Sequence, residues 1–146
     1  MNIAFSRLFS ISASVIGLSV LLAPNVSSGQ GIAAAMGKAE YTRSCASCHG
    51  PEGAGNGPMA DQLTTPPANL QMLGNKYSIS QWYEVIDGRK TFRAHGTSDM
   101  PIWGDAYAGI AKEMGGKEKA PSQVEIEQDI NGRILSLIYY LQTIQK

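Results

Sequence analysis

Apolar residues recur at helical spacing most clearly near the C-terminus of the chain. Between residues 130 and 144 they fall three and four positions apart, along one face of a helix, at Ile130, Ile134, Leu137, Ile138, Leu141 and Ile144. Just before them, Ser122 and Glu125 fit a capping box, in which a serine and a glutamate three residues later satisfy each other's backbone N–H groups. The pattern predicts a long C-terminal helix that begins immediately after Ser122.

Shorter helices are predicted upstream. They cover residues 33–47, a stretch from Ser78 or Ser80 through Ile86, and residues 106–114. Gly88 is expected to end the middle helix, because glycine readily adopts the left-handed conformation of a helix terminus. The inner face of that helix would hold Trp82, Val85 and Ile86. No alternation typical of strands and no internal repeat is evident, so the pattern indicates a mostly helical chain.

Much of the chain between these helices is rich in glycine and proline. The segment Gly50–Pro58 holds four glycines and two prolines in nine residues, which no regular element tolerates. This loop continues to about Tyr77, and a second loop covers residues 90–103. Loops of this length inside a compact domain are usually functional or disordered. Because the helices are short and the loops long, we expect something besides side chains to fill the core.

The N-terminal segment has the pattern of an export signal. Arg7 is the only ionisable side chain in the first 37 residues, and residues 8–23 form an apolar run. That run is shorter than the about 20 apolar residues that a membrane-spanning helix usually needs. We predict a signal peptide over residues 1–29, cleaved between 28 and 35, and a domain over residues 36–146 in a bacterial periplasm. A membrane would be a partner only if the segment is uncleaved.

Charge, apolar content and cysteine content exclude several classes of protein. The chain has 12 basic and 12 acidic side chains, and a formal net charge of zero argues against a nucleic-acid binder held by phosphate contacts. An apolar content of 43% excludes a disordered chain. Two cysteines are too few for a disulfide-dense fold, and both lie within one four-residue stretch.

Cys45, Cys48 and His49 form the CxxCH signature of covalent haem attachment. Positions three apart on a helix lie on one face, about 5 to 6 Å apart, so two thiols at this spacing can add to the two haem vinyl groups. The adjacent histidine can then offer a neutral imidazole nitrogen to the iron. Three other interpretations stay open: a thioredoxin-type CxxC, which needs a βαβ context, a zinc site, which needs four ligands, and a plain disulfide.

A second axial ligand to the iron has to come from elsewhere in the chain. Methionine opposite histidine is the arrangement common in electron-transfer cytochromes c. The candidates beyond the export segment are Met36, Met59, Met72, Met100 and Met114. We favour Met100, because Pro101 fixes the backbone beside it, and His95 is the competitor. With two protein ligands no iron site stays open for a substrate, so we expect electron transfer and not an enzyme.

These motifs together resemble the class I, single-haem periplasmic cytochromes c of bacteria. The run Cys45–His49 with its glycine-rich loop is similar to the family's CxxCHG start, and Met100–Gly104 is similar to its MPxWG loop. Further matches lie on the first and last helices: Gly37, Tyr41, Leu137, Tyr140 and Leu141. The resemblance implies an all-α, class I cytochrome c fold, with three to five short helices and long loops around one covalent haem c. It also implies that the first and last helices cross closely.

The resemblance assigns roles to individual residues. Four would hold the haem: Cys45 and Cys48 through thioether bonds, and His49 and Met100 as axial iron ligands. The carbonyl of Pro66 or Pro67 would accept the ring N–H of His49, a bond that fixes the orientation of the ligand. Three side chains would either face the haem propionates or be solvated or packed: Arg89, Arg93 and Trp103.

The function implied is one-electron transfer between a donor protein and an acceptor protein, each docked transiently. One alternative is a haem c subunit of a larger dehydrogenase or oxidoreductase complex. Another is an enzyme or gas sensor with an open iron site, which requires that Met100 does not bind the iron. Residues 105–121 depart from the shortest members of the family and would be an insert, either a docking surface or a solvated connection.

Overall fold

A computed structural model describes residues 28–74, 76–90, 100–116 and 119–146. Within these ranges the chain is helical and holds no β-strand, with α1 at Ser28–Ser44, α2 at Ala46–His49, α3 at Ile79–Asp87, α4 at Trp103–Met114 and α5 at Gln123–Thr143. Two single 3₁₀ turns, Ala60–Gln62 and Leu70–Met72, lie in the loop between α2 and α3. The all-α prediction is confirmed. None of the described helices is both long enough and apolar enough to span a membrane.

The core is built around α5, which packs against α1, α3 and α4. Its predicted inner face is buried as a stripe, with only the last member partly exposed: Ile130, Ile134, Leu137, Ile138, Leu141 and Ile144. The helix begins as the sequence predicts, because the Ser122 side chain and the Glu125 side chain each accept the other's backbone N–H. One turn earlier Ile126 is also buried, so the apolar stripe starts sooner than the pattern indicated.

Helices α1 and α5 cross at Gly37, as the resemblance implied. A methyl group on Gly37 would lie 2.9 Å from the Cβ of Tyr140 and would overlap the backbone carbonyl of Ser136. Next to this point the rings of Tyr41 and Tyr140 pack with their centroids 5.1 Å apart. The glycine therefore lets the two helix backbones approach more closely than any side chain would allow.

The first helix differs from its predicted bounds at both ends. It begins at Ser28 instead of residue 33, inside the window where cleavage was predicted. It stops at Ser44 instead of continuing to residue 47, because the backbone is distorted at Cys45, where φ is −117°. The helical path resumes at once as the single turn α2, in which the backbone N–H groups of Cys48 and His49 donate to the Cys45 carbonyl.

The two middle helices that the sequence predicts are both present, but the start of α4 differs from its predicted position. Helix α3 begins after Ser78, which forms a full capping box with Gln81, and ends at Gly88 with φ +68°. Helix α4 begins at Trp103, three residues earlier than predicted, and its N-cap residue, Ile102, makes no side-chain hydrogen bond to the helix. Ordinary capping signals could not have located that start. Most of the segment 105–121 is accordingly helix, and its Tyr107 is fully buried.

The glycine-rich loop after α2 folds back over the cysteine motif. The backbone N–H groups of Gly55, Gly57 and Met59 donate to the carbonyls of His49, Cys48 and Ser47. Gly55 has φ +82°, and a methyl group there would meet the Pro67 carbonyl at 2.5 Å. The loop therefore satisfies the last carbonyls of a very short helix, and only glycine can do so at this close approach.

Candidate functional site

A cleft lies where α1, α3, α4 and α5 meet the loop that follows α2. Its empty space, including the open mouth, is about 870 Å³. Most of the wall is apolar or aromatic, with one thiol, one imidazole and one thioether: Tyr41, Cys45, His49, Ala68, Leu70, Leu73, Tyr77, Trp82, Val85, Ile86, Met100, Trp103, Leu137 and Leu141.

His49 enters the cleft from the end of α2 with its ring fixed. Its Nδ1 lies 3.0 Å from the backbone oxygen of Ala68, and because a carbonyl only accepts, Nδ1 carries the proton. The prediction that Pro66 or Pro67 supplies this carbonyl is wrong by one residue. The Pro67 carbonyl is directed at Gly55, and Pro67 is not part of the cleft wall.

The environment of His49 keeps its imidazole neutral. Burial lowers the pKa of the ring below its usual value, and the hydrogen bond to the Ala68 carbonyl offsets this only in part. A neutral ring that donates through Nδ1 leaves its Nε2 lone pair free. This is the form in which imidazole binds a metal.

The two cysteines of the motif occupy different positions. Cys45 lines the cleft, and burial first, then the charge of Glu40, raise the pKa of its thiol to about 12. Cys48 is half-buried and is not on the cleft wall, and its sulfur lies 3.9 Å from the Ser47 hydroxyl. The thiols are not joined in a disulfide. Within the described ranges, no three His, Cys, Asp or Glu side chains converge as a metal-ligand set.

Met100 is the methionine that lines the cleft, and it is half-buried there. The other four candidates point to solvent, with 41% to 73% of their surface exposed: Met36, Met59, Met72 and Met114. His95 and Arg93 lie outside the described residues. The structure thus brings a thioether and a neutral imidazole to one apolar cleft, from segments 51 residues apart in the sequence.

Comparison with known proteins decides the family. The sequence model for cytochrome C oxidase, cbb3-type, subunit III matches residues 32–112, which include the whole CxxCH motif, Met100 and Trp103. The chain belongs to this family of c-type cytochromes. Searches of curated proteins and of solved structures found no match to the chain.

The cofactor of a c-type cytochrome is covalently bound haem c. The cleft fits such a group, because its wall offers an apolar surface, a thiol, a neutral imidazole and a thioether. Haem-based electron transfer is the activity that the family indicates. Members of the family are typically exported or associated with membranes.

Two further residues that the cytochrome resemblance singled out have different surroundings. Trp103 does line the cleft, and its ring packs on Tyr107 with centroids 5.5 Å apart. Arg89 does not line it. Its guanidinium instead bonds to the carboxylates of Asp87 and Glu127, and 30% of its side chain is exposed, so Arg89 is ion-paired at the surface.

A cluster of charged side chains beside the cytochrome cleft was not predicted from the sequence. Glu40 is only 6% exposed and accepts hydrogen bonds from Ser44 at 2.8 Å and Arg133 at 3.0 Å, and it also pairs with Arg43. The guanidinium of Arg133 in turn lies 5.5 Å from the ring centre of Tyr107. These partners join α1, α4 and α5, and because they come from distant parts of the chain, no local pattern could have identified them.

Proposed function

We propose that this cytochrome is a periplasmic one-electron carrier in which His49 and Met100 are the axial ligands of the haem iron. The observation that carries the proposal is the presence of both side chains on one apolar wall, with His49 fixed by Ala68. When bound, the haem supplies the one-electron chemistry, cycling between ferrous and ferric iron. Redox proteins that dock transiently would be the donor and the acceptor.

Each side chain has a distinct part in this proposal. His49 supplies the Nε2 lone pair, and the Ala68 carbonyl sets its tautomer and orientation. Met100 supplies a thioether, which raises the reduction potential relative to a second nitrogen ligand. Cys45 and Cys48 would form the two thioether bonds to the haem. The apolar side chains around them exclude water, and with both axial positions filled the iron has no open site for a substrate.

The axial ligand is tested by the variant Met100→Ala in the purified holoprotein. We expect loss of the weak long-wavelength band that sulfur ligation gives ferric haem, and a reduction potential lower by about 100 mV or more, since ligand changes tune haem potentials over roughly 0.8 V. Met72→Ala is the matched control, because Met72 is 58% exposed. A Met100→Ala protein that keeps the band and the potential would show that another residue binds the iron.

A second candidate function is a permanent subunit of an oxidoreductase. The observation in its favour is the description of the matching family, which names a subunit of a cbb3-type oxidase. Size-exclusion chromatography of a gently prepared extract distinguishes the carrier from the permanent subunit, with haem absorbance as the readout. A carrier elutes at the size of the single chain in the soluble periplasmic fraction. Co-elution with a larger oxidase activity, stable to salt, would favour the subunit and contradict the carrier.

A further inference from the structure

Three charged side chains form an array at the end of α3. Arg89 follows the turn that ends this helix, and its Nε donates to Asp87 Oδ1 at 2.8 Å. Its two terminal nitrogens donate to the two carboxylate oxygens of Glu127 on α5, at 2.7 and 3.0 Å. The guanidinium is therefore held on two sides, and the second contact is bidentate, the geometry in which arginine is most strongly oriented.

The array lies directly against the start of α4. A methyl group on Gly104 would overlap the Asp87 carboxylate and would lie 2.8 Å from the Arg89 Cδ. A methyl group on Gly88 would lie 3.4 Å from the Cα of Ile102. The backbone of residues 102–104 is thus in contact with the turn that carries Arg89, and Gly104 is the residue that permits this approach.

This contact bears on Met100 because the start of α4 has no cap of its own. Ile102, at the N-cap position, makes no side-chain hydrogen bond to the helix. Met100 is separated from the helix only by Pro101, whose φ is fixed by its ring, and by Ile102. Any shift of the helix start is therefore passed almost directly to the Met100 backbone.

We infer that Arg89 is a positioning residue that holds the Met100 thioether at the iron by clamping the first turn of α4 between α3 and α5. The inference depends on the proposed ligation by Met100. Asp87 strengthens the clamp, because its side chain is only 8% exposed and Arg89 is its ion-pair partner among the described residues. Lysine at position 89 would keep the charge and lose the planar fork.

Competition by free imidazole tests this inference on the ferric holoprotein. A loosened methionine is displaced more readily, since the fraction of iron available to the competitor sets its apparent affinity. We expect Arg89→Ala to bind imidazole about tenfold more tightly than the unmodified protein. Arg89→Lys should restore part of the difference, and the sulfur-to-iron band should disappear at a lower pH in Arg89→Ala.

Glu127→Gln weakens the array more gently, and its matched control is Asp129→Asn. Both carboxylates lie on α5, both side chains are 38% exposed and both pair with an arginine, but the partner of Asp129 is Arg133 on the same helix. We expect tighter imidazole binding in Glu127→Gln and no change in Asp129→Asn. Should Arg89→Ala fail to yield holoprotein, the imidazole affinities of Glu127→Gln and Asp129→Asn decide whether Arg89 positions Met100.

The outcomes separate this inference from the proposal on which it depends. If the unmodified protein lacks the sulfur-to-iron band, Met100 is not a ligand and both ideas fail. If the band is present and Arg89→Ala or Glu127→Gln binds imidazole no more tightly than Asp129→Asn, the ligation stands and the role of Arg89 is wrong.

Discussion

Replacing Gly37 by alanine is expected to force α1 and α5 apart at their crossing. The new methyl group would lie 2.9 Å from the Cβ of Tyr140, where non-bonded carbons are ordinarily about 3.5 to 4.0 Å apart. It would also overlap the Ser136 carbonyl, which belongs to the backbone of α5 and cannot rotate away as a side chain could. The helices must therefore separate, and the packing of Tyr41 on Tyr140 would loosen with them.

The size of the effect follows from two opposing contributions to the free energy of unfolding. Overpacking a well-packed core costs about 1 to 3 kcal/mol, and a backbone obstacle places this site at the upper end. Alanine in a helix is favoured over glycine by about 1 kcal/mol. The net loss for Gly37→Ala is therefore about 2 kcal/mol, which in a domain of this size lowers the melting temperature by roughly 10 °C.

Thermal unfolding of the holoprotein, followed by far-UV circular dichroism, measures this loss. Gly132→Ala is the control, because Gly132 lies on α5, one turn before Ser136, and a methyl group there meets nothing within 4 Å. That control should gain about 0.5 to 1 kcal/mol from helix propensity alone. The same chemical change thus has opposite signs at two positions. A Gly37→Ala protein as stable as Gly132→Ala would refute the close crossing.

Three further predictions concern hydrogen bonds. Tyr41→Phe removes a buried hydroxyl that donates to the Gly50 carbonyl at 2.6 Å, and we expect a loss of about 1 to 2 kcal/mol in thermal unfolding. Ser122→Ala should cost about 1 kcal/mol, as loss of an N-cap does. The backbone N–H and hydroxyl of Ser122 lower the pKa of Glu125 below its usual 4.5, so the unfolded chain binds more protons as the solution is acidified. The difference in free energy of unfolding between the unmodified protein and Glu125→Gln should thus be fully present above about pH 4.5 and decrease as the pH falls further. A difference that stays constant across this pH range would contradict the role given to the Ser122–Glu125 hydrogen bonds.

The sequence predicted those helices that carry their own start and stop signals. Helix α5 has a capping box and a regular apolar stripe, and α3 has Ser78 before it and Gly88 after it, so local chemistry sets their bounds. The start of α4 and the break at Cys45 could not be predicted. In both places the backbone conformation depends on packing or on the neighbouring loop, so the residues close in sequence do not determine it.

The candidate site also contains residues that local sequence predicts and residues whose positions depend on packing. The CxxCH motif and Met100 could be singled out from the sequence, because the spacing of the motif and the residues next to Met100 are local features. The resemblance to one family then links the two. The resemblance predicts that the carbonyl of Pro66 or Pro67 orients His49, whereas the structure has the carbonyl of Ala68, because the side chain of a residue does not determine which hydrogen bond its backbone carbonyl accepts. Which of Pro66, Pro67 or Ala68 faces the ring depends on how Gly55 packs against this segment.

Arg89 shows why a charged residue near a cofactor motif is ambiguous in sequence. A guanidinium close to an axial-ligand loop suits a haem propionate and a protein carboxylate equally well. The carboxylate that completes its bidentate pair is Glu127, 38 residues away on α5, and that distance places it beyond any local pattern. Once both acids are known, the side chain is better understood as part of the support for the Met100 loop than as part of the cleft. Under the proposed ligation of the iron by Met100, the strength of the iron–sulfur bond would depend on α3 and α5 as well as on the methionine.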